Sequence, residues 1–444
     1  MKKNQNNDIV IVGGGLLGLS IAYFLSRGGV KNITVVEKDD ELGGACSWFT
    51  VDKTVVTRFY HVIMAQDEKI FRFMDELGLR GGYGFTTVRM GIFNGKTSHP
   101  INTPREFLFY PDLSLFNKLR LAYTILYCRF YKDWRSIESL SASDWLISIG
   151  GEQNFRNIRQ PIIRSKFGDN LDRMAAVDML ARIARISSSR KADFSQRMAH
   201  ITGTPKTLID RLENILGSKG VRIIKGNGAK RLLINGGEAV GVSLDDGQIL
   251  EAGNTVFTVP IPEFEKLIPE TYQSYKNSLK HIQYLDNVCL VLKLSKPLTP
   301  FYMLNIQDNT VPFTGVIGLS HIYPENAFDG HAIFYISRYI FNDDGLFTKE
   351  KDEILADYLP YLKKINPEFR ESWISGYGLS KRKNVEAFHS INYPKYIPKR
   401  ETIFKGCFLV TAAQSYPEST VIDTSVNVAE GFAAGLLNRR ERAD

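Results

Sequence analysis

The chain has 444 residues, more than one simple core accommodates, so two or three domains are expected. With 43% hydrophobic and 23% charged residues, a disordered, fibrous or collagen-like class is excluded, and no uninterrupted apolar run is long enough to span a bilayer. A formal charge of +8 favours anionic partners, but no nucleic-acid-reading motif accompanies it, so nucleic acid is not expected as a partner. Cys46, Cys128, Cys289 and Cys407 form no CxxC pair and the seven histidines show no ligand spacing, which argues against a disulfide framework and a metal site. No secretory apolar region follows Met1-Lys2-Lys3, so a cytoplasmic location is expected, with peripheral contact at the inner membrane face left open.

Asp8–Val12, DIVIV, is a short run of β-branched residues suited to a parallel strand covered on both faces. It ends at Gly13-x-Gly15-x-x-Gly18, after which Leu16 to Arg27 carries a helical pattern closed by Gly28-Gly29. The first glycine permits the tight turn, the second lets a pyrophosphate approach the backbone, and the third brings helix and strand together. Leu16 and Leu17 then carry the free N–H groups of the helix start, a ready anion site. A second strand, Ile33–Val36, delivers Glu37 nineteen residues beyond Gly18, where a carboxylate can accept from adenosine ribose hydroxyls and disfavours a 2′-phosphate. Strand, glycines, helix, strand and acid in register predict a bound dinucleotide.

After Lys38, the paired Gly43-Gly44 and Ala45 follow the acid within KDDELGGACSWF. This resembles the extended FAD fingerprint of the glutathione-reductase-type flavoproteins, which implies FAD rather than NAD. No second GxGxxG unit is evident, so oxygen, a quinone or the substrate itself is the expected electron partner.

Val55–Ile63, VVTRFYHVI, lies where the resemblance brings a loop past the flavin, which makes Arg58, Tyr60 and His61 candidate catalytic residues. His61 suits acid–base work by its ordinary pKa, and equally a ring hydrogen-bonded within an aromatic core. Leu115–Tyr131 mixes apolar and aromatic residues with Lys118, Arg120 and Arg129, a pattern of an interfacial helix or of a helix packed on its own core. A basic stretch follows: Arg156, Arg159, Arg164 and Lys166, then Arg182, Arg185, Arg190 and Lys191. Arg182 and Arg185 share a helix face and, with Arg190, are the candidate grip for a substrate phosphate or carboxylate; a solvated basic face paired with acids is the alternative.

From Val221 to Pro260, hairpin turns at Asn235-Gly236-Gly237 and Asp245-Asp246-Gly247 predict a β-meander, followed by a buried strand in Thr255–Pro260. The C-terminal Phe404–Leu437 reads as strand, loop and a small-residue helix. These pieces resemble the amine oxidase, protoporphyrinogen oxidase and phytoene desaturase superfamily. The resemblance implies an α/β protein with a discontinuous Rossmann-like FAD-binding domain (1–81, 196–265 and 395–444) and an inserted α+β substrate domain (82–195 and 266–394). It places Ala229 on the adenine side, and Gln414, Ile422, Asp423 and Thr424 beside the flavin ring and ribityl chain. Ala412-Ala413-Gln414 departs from the Ala-Gly-Asp of many relatives.

The implied function is an FAD-dependent oxidoreductase of desaturase or oxidase type, passing a hydride from a small apolar substrate with an anionic head to flavin N5. An isoprenoid phosphate, a porphyrin carboxylate or a sugar-linked anion would satisfy the basic residues. The alternative is a flavin enzyme without net redox, resembling UDP-galactopyranose mutase, acting on a nucleotide-linked sugar. Oligomeric state is not fixed by any of these features.

Overall fold

The computed structural model describes residues 8–160, 163, 167, 170–190, 195–341, 345–418 and 421–442. Its organising element is a five-stranded parallel sheet in the order Arg222–Ile224, Ile33–Val36, Ile9–Val12, Asn254–Phe257 and Cys407–Leu409. Ile9 is in register with Ile33 on one side and Asn254 on the other, so the first strand is central. All four of its residues are buried, because both faces of the sheet are covered.

One face carries the helices Leu16–Arg27, Lys206–Ser218 and Ile422–Glu441, whose Leu19, Ile21, Leu212, Leu216, Ala429 and Ala433 merge into one core. The C-terminal helix lies so close to the first that a Cβ on Gly28 would meet the Leu437 side chain at 2.3 Å. The other face carries the antiparallel meander Ala229–Asn235, Glu238–Leu244 and Ile249–Glu251, whose alternate residues Leu232, Val242, Leu244 and Leu250 pack under Val10, Val12 and Phe257. The predicted meander and returning strand are thus present, the strand pairing in parallel with Ile9–Val12.

The second half is built on a seven-stranded mixed sheet ordered Ile374–Ala387, Tyr284–Leu294, Ala332–Ile340, Gly315–Gly318, Met303–Ile306, Met90–Phe93 and Ser98–Pro100. Helix Lys351–Ile365 packs on one face through Ile354, Tyr358 and Leu362. Val51, Val56, Phe59 and Met64 close the other, bringing the segment after the glycine pair against this sheet. A helical layer including Leu115–Phe130, Ala142–Gly150 and Ala176–Ser188 completes the molecule. The fold is α/β, with a parallel nucleotide-type sheet beside a large mixed sheet.

Candidate active site

Two glycine turns meet at the carboxyl end of the central strand. Gly13, Gly43 and Gly44 have φ of +117°, +105° and +60°, values that side chains rarely tolerate. Gly15 and Gly43 form a parallel bridge, and the Gly43 N–H donates to the Gly14 carbonyl at 2.9 Å. A Cβ on Gly18 would lie 2.0 Å from the Gly13 carbonyl oxygen, and one on Gly44 would lie 3.1 Å from Cα of Gly15. Backbone therefore packs on backbone, which only glycine allows.

Helix Leu16–Arg27 starts at Gly15 with no side-chain cap and no acid in its first turn. Its leading N–H groups, on Leu16, Leu17 and Gly18, and the positive end of its dipole point past the strand end without a protein side-chain partner. Glu37 is 5% exposed. One of its carboxylate oxygens accepts the Gly14 N–H at 2.8 Å and the other accepts the Asp39 N–H at 3.0 Å. Burial raises its pKa while the two amide donors act against that. A carboxylate has about four acceptor positions, so those left are suited to a diol. Beside it, Asn227 N–H donates to the Glu37 carbonyl, and a Cβ on Gly228 would lie 3.0 Å from Cβ of the exposed Lys38. Ala229 opens the meander at that spot.

A residue that no motif marks closes the cradle. Arg382, on strand Ile374–Ala387, donates from Nη1 to the Gly44 carbonyl at 2.6 Å and lies 3.6 Å from the Asp39 carboxylate. It brings a positive charge from the mixed sheet to the second glycine turn.

His61 touches the same turn. Its Nε2 is 3.0 Å from the Ala45 carbonyl; that oxygen only accepts, so Nε2 carries the hydrogen and Nδ1 is left as an acceptor. Burial lowers the His61 pKa, keeping the ring neutral at neutral pH. His61, Ile63, His200, Ile201, Leu319 and Ile322 line a narrow crevice. The buried His200, unnoticed in the sequence, lies on the Tyr323 ring with centroids 4.7 Å apart. It bonds the Ile322 backbone, is also held below its ordinary pKa by burial, and its Nδ1 has no partner. Gly84 makes room, since a Cβ there would stand 2.6 Å from the imidazole.

Next to the crevice, the Arg58 guanidinium stacks over Phe49 at 5.7 Å, and no carboxylate pairs with it among the described residues. Tyr60 accepts a hydrogen bond from Tyr339, and burial pushes its pKa up to about 12, so its hydroxyl stays protonated at neutral pH.

The three candidate grip arginines each meet protein groups, as in the acid-paired alternative. Arg182 is held by Asp178 at 2.7 Å and Glu386 at 2.6 Å, with Asp178 also bonded to His389 Nδ1 at 2.7 Å. Arg185 pairs with Asp67 at 2.8 Å, and Arg190 donates to the Asn102 carbonyl at 2.6 Å. Each guanidinium is thus already engaged by the protein, because burial leaves a charge no cheaper arrangement than a protein partner. Arg164, Lys166 and Lys191 lie outside the described residues.

The C-terminal candidates also take structural duties. Gln414 accepts the Thr411 N–H at 3.0 Å and donates to the Pro398 carbonyl at 2.9 Å, fixing its own loop. Asp423 accepts the Ile70 N–H at 2.8 Å, tying helix Glu68–Glu76 to the C-terminal helix. Ile422 and Thr424 are buried. The start of helix Ile422–Glu441 has no side-chain cap from Val421.

The family model for flavin-containing amine oxidoreductases matches residues 18–416. The chain belongs to that family. The class expected from the sequence, an FAD-dependent oxidoreductase of the amine oxidase superfamily, is the class of this family. Among solved structures, a protein assigned as a protoporphyrinogen oxidase from Exiguobacterium sp. 255-15 is 17% identical with a TM-score of 0.77, covering 98% of this chain and 99% of its own. Cyclohexylamine oxidase from Brevibacterium oxydans IH-35A is 14% identical at TM-score 0.70, covering 98% and 100%. A reduced UDP-galactopyranose mutase is 15% identical at TM-score 0.75, covering 97% and 94%. At these identities the chain shares their fold, and its substrate has to be argued from its own residues. No described helix is long and apolar enough to cross a membrane.

Proposed function

We propose that this chain binds FAD and oxidises a C–H bond in a small substrate with an apolar body and one anionic group. The observation that carries the reading is the convergence of the doubled glycine turn, the uncapped helix start and His61 on one loop, Gly43–Ala45. The cradle fits a dinucleotide: its glycines bring helix and strand so close that a Cβ at Gly18 would strike the Gly13 carbonyl, its free donors are backbone N–H groups suited to a diphosphate, and the acceptor at its far end is Glu37. When bound, the flavin supplies the electron sink for the hydride equivalent.

The protein's own residues supply the rest. Gly13, Gly15 and Gly18 with the N–H groups of Leu16 and Leu17 hold the diphosphate, Glu37 holds the ribose beside Lys38 and Ala229, and Arg382 fixes Gly44 while adding positive charge. The start of helix Ile422–Glu441, which has no side-chain cap from Val421, would offer a second dipole to a bound flavin. The isoleucine and leucine walls of the crevice exclude water, and neutral His61 accepts the substrate proton at Nδ1. Arg58, which no carboxylate pairs among the described residues, receives the anionic group.

The test is steady-state and anaerobic kinetics on flavin-loaded protein with candidate isoprenoid, porphyrin and sugar-linked acids. His61→Ala is expected to lower kcat by about 10²-fold or more, with flavin content unchanged, and Arg58→Met to raise KM with little change in kcat. Full activity in both variants overturns the residue assignments. Turnover that consumes no electron acceptor would replace oxidation with mutase-type chemistry. Purified protein that takes up no flavin even with added FAD overturns the reading as a whole.

A further inference from the structure

Helix Leu115–Phe130 is packed the wrong way round for a soluble helix. Its buried residues are Asn117, Leu121, Thr124 and Cys128, two of them polar. Its largest apolar side chains face outward: Phe116, Leu119, Tyr123, Leu126 and Phe130 succeed one another at intervals of three or four residues, and all are exposed. That spacing draws a single stripe along the helix. Phe116 and Phe130 are each 70% exposed, and Phe109, from the preceding turn, is 72% exposed. Scattered surface hydrophobics are ordinary, whereas a continuous stripe of this size marks an interaction site.

Charge identifies the occupant. The helix holds Lys118, Arg120 and Arg129 and no Asp or Glu. Over residues 96–135 seven Lys and Arg stand against three Asp and Glu. Lys118 donates to the Leu108 carbonyl at 2.6 Å, Arg129 stacks on the Phe130 ring at 5.7 Å, and Arg120 reaches the Ile149 carbonyl. Lys118 and Arg120 are thus held by the protein, while the exposed Arg129 borders the apolar stripe beside Phe130, placed to snorkel toward headgroups while rings and leucines enter the acyl boundary. A second copy of the same helix would set these cations against their own kind with no acid on the helix to match them.

We propose that the stripe of helix Leu115–Phe130, continued by Phe109, lies in the plane of a bilayer surface bearing anionic lipid. The contact is interfacial, since no described helix can cross a membrane. The surface anchors the protein where apolar, anionic-headed compounds partition, though it does not depend on what the flavin site oxidises.

The experiment is co-sedimentation of the flavin-loaded protein with vesicles of phosphatidylcholine and of phosphatidylcholine mixed with phosphatidylglycerol, with size-exclusion chromatography of the same samples. Wild type is expected to sediment with the mixed vesicles, more weakly with the neutral ones, and less as salt is raised. Leu119→Glu combined with Leu126→Glu, both at exposed positions, is expected to reduce partitioning by roughly ten-fold or more with an unchanged flavin spectrum. Absence of wild-type binding to mixed vesicles, or equal binding by the variant, overturns the proposal. A dimer that the double substitution splits, without vesicle binding, assigns the stripe to a second copy instead.

Discussion

The glycine cradle and the helix Ala176–Ser188 were both expected to grip anions, and the structure treats them in opposite ways. In the cradle the binding groups are backbone N–H groups, and what exposes them is local: three glycines, a helix start and an acid within a short stretch of chain. On the helix the binding groups were to be Arg182 and Arg185, whose availability depends on whatever lies opposite them. Asp67 and Glu386, far away in sequence, occupy both. A backbone site can be read from its neighbours in the chain, whereas a side-chain site belongs to the tertiary structure that surrounds it.

The largest effect is expected from breaking the cradle. Gly18→Val forces a side chain into the Gly13 carbonyl, and the variant is expected to purify colourless or insoluble; a yellow, stable protein would show that helix and strand can part. Next comes the arginine side. Asp178→Ala leaves the buried Arg182 with one fewer partner and frees His389, expected to cost about 3–5 kcal/mol by denaturant unfolding, while replacing Asp178 and Arg182 together with apolar residues costs less. If the single and double variants are equally unstable, the network is not the source of that stability.

Arg382→Met joins the two regions of the comparison, since it removes a side chain that supports the backbone cradle. The lost charge-assisted bond to Gly44 is worth about 1.5–3 kcal/mol, so FAD affinity, measured by fluorescence titration, is expected to fall about ten-fold or more while the fold persists. The smallest effect is a pH dependence. His61, His200 and His321 are held below their ordinary 6.5 by burial. The unfolded chain then binds protons first, so stability is full above about 6.5 and declines as pH falls from there through the lowered folded values, by at most about 1.4 kcal/mol per pH unit for each histidine. His321→Gln, which replaces a ring bonded to the Thr299 carbonyl, is expected to flatten that slope in thermal melts at different pH; an unchanged slope would place the titration elsewhere.

The fold and the glycine cradle were legible because they are periodic and local. Ile9–Val12 had to be central since every residue is apolar, and Glu37 is fixed by the strand it ends. The missing parts had no such signature. His200 sits in an ordinary-looking strand and gains meaning only because Gly84 across the sheet makes room for its ring. Arg382 reaches Gly44 over 338 residues of sequence. Gln414 and Asp423 were placed by resemblance near the flavin, yet the hydrogen bonds they make are to Thr411, Pro398 and Ile70, because short polar side chains at helix and turn starts satisfy the nearest free amides first.

The strand order of the parallel sheet has a consequence for biosynthesis. Ile9–Val12 emerges from the ribosome early, but its second neighbour, Asn254–Phe257, comes after more than half the chain, and the edge strand Cys407–Leu409 and its covering helix Ile422–Glu441 come last. Until then the nascent chain carries at most four of the five strands, with the Asn254–Phe257 edge open and the final helix absent, a form prone to pairing with other chains. A premature stop anywhere before the final helix would thus yield an aggregation hazard rather than a smaller flavoprotein.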